Sequence, residues 1–215
     1  PCEKPLEKQL EIMEQYTAAH QAFTGQAKET REVECLKVLY PTLFREIEPE
    51  DKIIGRIDFL PIGFGCVTSL GGVGHYCVFS KLLAFKEELA DESLKKRVDA
   101  LYDYWLDHDV KTLYCKDVLT EDTIGRFIDV NYPMIATARL SGMMLDYQKL
   151  IDLGIGGLRK EIQEKMKGSP DNHFYTAALA CLDLFVTCAE HLQNMAWRHM
   201  KGADAKRKKE LQTIW

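Results

Sequence analysis

Several features that would narrow the function at once are missing from these 215 residues. No apolar run approaches the roughly 20 residues that span a bilayer, so no membrane helix is expected. The opening, Pro1 to Leu10, is charged and carries no hydrophobic region of a signal peptide. Basic residues are not in excess: Lys plus Arg is 28 against 33 Asp plus Glu, a formal charge of −5. A chain of that balance lacks the basic face that neutralises nucleic-acid phosphate. Its one dense basic run, Lys206-Arg207-Lys208-Lys209, reads as a solvated helix end. No Cys-x-x-Cys pair occurs, and the seven cysteines are an odd number. Reduced thiols in the cytoplasm fit that usage better than a disulfide framework. The six histidines, His20, His75, His108, His173, His191 and His199, have no metal-ligand spacing with each other or with cysteine. Gly71-Gly72-Val73-Gly74 lacks the preceding strand and following acid of a dinucleotide site, and no phosphate-loop lysine is present. Internal repeats and low-complexity segments are absent too.

What is present is mostly helical periodicity. Leu6, Leu10, Met13 and Tyr16 predict an amphipathic first helix. Thr30 is placed to cap the next, whose apolar face runs Val33, Leu36, Leu39 and Tyr40, with Pro41 bending or restarting it. Pro49-Glu50-Asp51 reads as a turn, and the isoleucine-rich stretch 52–60 as a short strand or extended segment. Residues 61–76 form a glycine-rich loop, with Gly63, Gly65, Gly71, Gly72 and Gly74. A long helix or helix pair is expected from Phe79 to Trp105, with a stripe of Leu94, Val98, Leu101, Tyr102 and Trp105. Thr120 opens a further helix that Pro133 kinks or stops. Asp146 to Leu153 is a short helix ended by Gly154, and Gly156 to Lys167 is the next. The strongest pattern is Phe174, Ala178, Cys181, Phe185, Cys188, Leu192, Met195 and His199, whose steps of four and three suit contact with another long helix. Cys181 and Cys188 in it read as small core residues. A final helix begins near Asp204, and Leu211, Ile214 and Trp215 at its end form an apolar stripe that needs a partner.

The last third carries a family likeness. Asp146-Tyr147-Gln148-Lys149-Leu150 leads to Leu153-Gly154-Ile155-Gly156-Gly157-Leu158 and Glu161-Ile162; then come Phe174-Tyr175-Thr176-Ala177-Ala178, Cys181-Leu182-Asp183 and Arg207-Lys208-Lys209-Glu210-Leu211. Upstream stand Glu29-Thr30-Arg31-Glu32-Val33, Glu50-Asp51-Lys52-Ile53-Ile54-Gly55, and Tyr104-Trp105 before Lys111-Thr112. In this order, over roughly residues 28–215, the set resembles the amino-terminal helical region of glycyl radical enzymes of the pyruvate formate-lyase type. It departs from that pattern in two places. Arg139-Leu140-Ser141-Gly142-Met143-Met144-Leu145 has no Gly-His pair before Asp146-Tyr147, and a glycine-rich run replaces a proline- and acid-rich stretch. Both mark a divergent member.

The resemblance implies a mainly α chain, residues 1–215 as one helical region, part of a larger ten-stranded α/β barrel enzyme. It implies a radical lyase or dehydratase, formate acetyltransferase-like, acting on a small oxygenated metabolite in anaerobic metabolism. A glycine near the carboxyl end of such an enzyme stores a radical, installed by an activating enzyme that uses S-adenosylmethionine and an iron–sulfur cluster. A cysteine inside the barrel takes the radical as a thiyl. Neither loop is found here, so no catalytic residue, metal or cofactor is assigned to this region. Gly65-Cys66-Val67-Thr68 precedes the helical blocks and is not taken as the cysteine loop. The expected partners are the remainder of the barrel and the activating enzyme, with room for a homodimer.

Substrate-facing candidates read from the residues are His75 and Tyr76, which follow the glycine run, and Arg139, which suits a carboxylate. Asp107-His108-Asp109 is a weaker constellation that could polarise an imidazole. Met143 and Met144 read as core filler. The alternatives are a non-catalytic helical scaffold using the 174–199 seam, and a hydrolase using His75 or Cys77.

Overall fold

A computed structural model of the chain describes residues 2–63, 76–109, 113, 116, 117, 120–122 and 146–214. Its described residues form seven α-helices: α1 (Leu6–Phe23), α2 (Lys28–Leu43), α3 (Phe79–Glu88), α4 (Glu92–His108), α5 (Tyr147–Lys167), α6 (His173–Met200) and α7 (Ala205–Ile214). They fall into two compact units, one of residues 19–58 and 146–215, the other of 2–18 and 59–145. The predicted helix near Thr120 and its Pro133 stop lie largely outside the described residues.

In the first unit, α6 is the spine. Its Met195 and Ala196 pack with Ile47 and Leu211, and Phe44, Ile54, Met200 and Ala203 surround them. Leu211 is therefore a core residue, so this member of the expected terminal stripe has its partner on α6, while the Ile214 side chain and Trp215 lie outside the described residues. Arg207 fixes that placement by donating from Nη1 to Asp51 O (2.7 Å) and from Nη2 to Glu48 O (2.9 Å). Arg56 binds the same turn through Glu48 and Asp51 carboxylates at 2.7 and 2.8 Å. The Pro49-Glu50-Asp51 turn is as expected, closed by Asp51 N–H to Glu48 O.

Three local expectations need correction. Thr30 does not cap α2. The helix starts at Lys28 after Ala27, whose side chain caps nothing, because the Arg31 N–H already bonds the Ala27 carbonyl. Pro41 does not restart it; it sits inside α2, two residues before the helix ends at Leu43 and yields to extended Phe44. The 52–60 stretch forms no regular strand: it bends at 52–53, Gly55 takes φ 100°, and it pairs at a single bridge, Ile57 with Phe44. Arg45 N–H to Arg56 O and Asp58 N–H to Leu43 O flank that bridge. Leu43 belongs to α2, so the partner strand has nowhere to continue.

Helix α5 breaks where glycine predicts. Gly154 has φ 59° and ψ −177°, a region essentially closed to residues with a Cβ. The two halves are tied across the break by Lys149 and Glu161 at 2.7 Å. Gly154→Ala has open space for its methyl group, so its cost is backbone strain, about 1–3 kcal/mol. Gly156→Ala also has room, at a position without positive φ, and is expected to be neutral or stabilising by up to about 1 kcal/mol. Urea unfolding of the two variants checks the contrast.

The second unit centres on α4. Asp91 caps it, accepting from Ser93 N–H. Val98, Leu101 and Trp105 are buried as the stripe predicts, while Leu94 and Tyr102 are only half-buried. The 79–105 stretch is a helix pair, α3 and α4, tied by Lys86 to Asp99 at 2.6 Å. Leu10, Ile12, Met13 and Tyr16 of α1 are buried in this unit.

Candidate functional site

Of the three sequence candidates only Tyr76 lies among the described residues; His75 and Arg139 fall outside them, as do Cys66, Met143 and Met144. Tyr76 is buried, and its ring sits 5.1 Å from Trp105 and 6.5 Å from Tyr16, centroid to centroid. Tyr16 and Trp105 are 6.1 Å apart, so the three rings form one cluster at separations where tilted aromatic pairs attract. Trp105 completes its hydrogen bonding by donating from Nε1 to Thr17 Oγ1 at 3.0 Å. Thr17 in turn donates to Met13 O at 2.8 Å.

The backbone around Tyr76 is pinned from two sides. Ile62 and Cys77 form an antiparallel bridge. Gly63 N–H donates to Tyr76 O at 2.9 Å, and Val78 N–H to Pro61 O at 2.8 Å. Gly63 takes φ 146°, a conformation that favours glycine. On the other side the fully buried Asp109 carboxylate accepts from Tyr76 N–H at 2.8 Å and Cys77 N–H at 3.1 Å through one oxygen. Hydrogen bonds to a charged acceptor are the stronger kind. Tyr76 and Cys77 are thus set in place by a residue 32 to 33 positions away in the chain.

Sequence reasoning missed Asp109 in this role. Read with Asp107 and His108, it looked like a partner for an imidazole. In the structure His108 donates from Nδ1 to the Tyr104 carbonyl at 2.8 Å and stacks on the Tyr104 ring. One signal was available: an aspartate at the carboxyl end of a helix opposes the helix dipole, and such local conflict points to a tertiary partner. Cys77 is buried, which removes it from the solvent that a hydrolytic nucleophile must meet.

Other titratable groups are structural. Burial, then the Glu32 carboxylate, pushes the Cys35 thiol up to about 12, and burial raises Cys181 and Cys188. All three stay thiols at neutral pH, poor nucleophiles. Cys181 and Cys188 are half-buried rather than core residues. His191 stacks on Phe44 at 5.9 Å, and His199 Nε2 lies 2.9 Å from Glu46. Hydrogen bonds from Lys149 and then Lys165 hold the Glu161 carboxyl down to about 2. A carboxyl lowered on folding stabilises above its unfolded pKa of about 4.3, and that contribution is lost as pH falls from there towards 2. Glu161→Gln is expected to flatten the stability–pH curve in that window, by acid titration followed by circular dichroism. Among the described residues no group of three or more His, Cys, Asp or Glu is placed to hold a metal ion, and no helix is long and apolar enough to cross a membrane.

The sequence matches the family described as Pyruvate formate lyase-like over residues 2–215. The chain belongs to the pyruvate formate lyase-like family. Two solved structures show how much of the fold is shared. A glycyl radical enzyme from Archaeoglobus fulgidus superposes with TM-score 0.68 at 16% identity, covering 98% of this chain and 30% of that one. A structure describing 1,2-propanediol dehydration in Roseburia inulinivorans, with its substrate and enantiomer selectivity, gives TM-score 0.68 at 20% identity, covering 100% of this chain and 30% of that one. This pyruvate formate lyase-like chain therefore spans about 30% of the length of these two enzymes. Its mainly helical fold is that of their amino-terminal region.

Proposed function

We propose that this chain is the amino-terminal helical portion of a glycyl radical enzyme, a lyase or dehydratase acting on a small oxygenated metabolite. One observation carries the reading: the family match runs through residues 2–215, and the chain covers only 30% of either solved neighbour. The 1,2-propanediol dehydration of the Roseburia neighbour supports a small polyol or related metabolite as substrate class. On this reading the thiyl cysteine and the radical glycine belong to the rest of the enzyme, and the helices help to wall the reacting centre from water. Exclusion matters because radical intermediates are diverted by solvent. A separate activating enzyme with S-adenosylmethionine and an iron–sulfur cluster would install the radical, in the cytoplasm of an anaerobically growing cell. His75, Tyr76 and Arg139 remain the proposed residues of the pocket side; the buried position of Tyr76 gives it a packing part, steadying the backbone beside His75.

The test is electron paramagnetic resonance of the polypeptide encoded by the complete open reading frame, after anaerobic treatment with its activating enzyme. A glycyl radical doublet, with turnover of a small diol, is the expected result; its absence would sink the enzymatic reading. A non-catalytic scaffold is the second reading, favoured by the exposure of Phe174 and Phe185 on the α6 seam. A radical signal excludes it.

A further inference from the structure

We draw no further inference here: the strongest candidate, the open groove between α2 and α6 lined by Lys37, Pro41, Ala180, Asp183, Leu184 and Thr187, carries nothing, because its two charged groups are already paired within the chain, Lys37 with Glu34 and Asp183 with Arg159, and nothing in the structure shows what would fill it.

Discussion

Trp105→Ala is expected to lower stability by about 3–5 kcal/mol, the largest effect of any single substitution in the described residues. Trp105 is fully buried and touches both Tyr16 and Tyr76. Removing it takes away the transfer energy of a large ring and leaves a cavity that its neighbours cannot fill without leaving their rotamers. It also strips Thr17 of the indole N–H. With total stabilities of about 5–15 kcal/mol, such a loss is enough to unfold much of the unit. Trp105→Phe separates the two parts: most of the packing stays and the hydrogen bond goes, at about 1–2 kcal/mol. Urea titrations of both variants, followed by far-ultraviolet circular dichroism, measure the difference. Equal losses would show that the Thr17 bond, rather than ring volume, is what holds α1 to α4.

Asp109→Ala is expected to cost about 2–5 kcal/mol, because it leaves two buried backbone donors, at Tyr76 and Cys77, without this acceptor. Asp109→Asn keeps an acceptor oxygen but loses the charge, and about 1 kcal/mol is expected. Native-state hydrogen exchange gives a local readout. The Tyr76 and Cys77 amides should lose protection by a large factor in Asp109→Ala and modestly in Asp109→Asn, while those of α6 keep theirs. Unchanged exchange at Tyr76 and Cys77 would show that the Ile62–Cys77 pairing alone holds that backbone. If the proposed function holds, the same variant disturbs whatever His75 does, since Tyr76 is its neighbour in the chain.

Helical periodicity translated directly into structure where burial is one-sided. The α4 stripe of Val98, Leu101 and Trp105 is buried as read, and the break at Gly154 falls at the residue named. Caps were less legible: Thr30 has the right chemistry for a helix start, but the chain turns helical three residues earlier without any side-chain cap. The 52–60 segment has the composition of a strand and lacks a partner strand, because α2 occupies the backbone it would pair with. For the site, Tyr76 was legible as unusual and not as buried; its partners Tyr16, Trp105 and Asp109 are scattered over the sequence, and nothing in their own neighbourhoods names one another.

Order and spacing of apolar residues and glycines were sufficient to determine a mainly helical chain, because they reflect local propensity and a heptad-like face, and the ordered motif blocks carried the resemblance to the family that the match over residues 2–215 shows. Which faces are covered was decided only in three dimensions. Leu211 found its place against Met195, Asp109 reached across 33 positions to the Tyr76 amide, and Phe174 and Phe185 on α6 were left exposed. Burial and charge pairing between distant segments depend on where the backbone brings them, and a periodic pattern specifies a face without specifying what meets it.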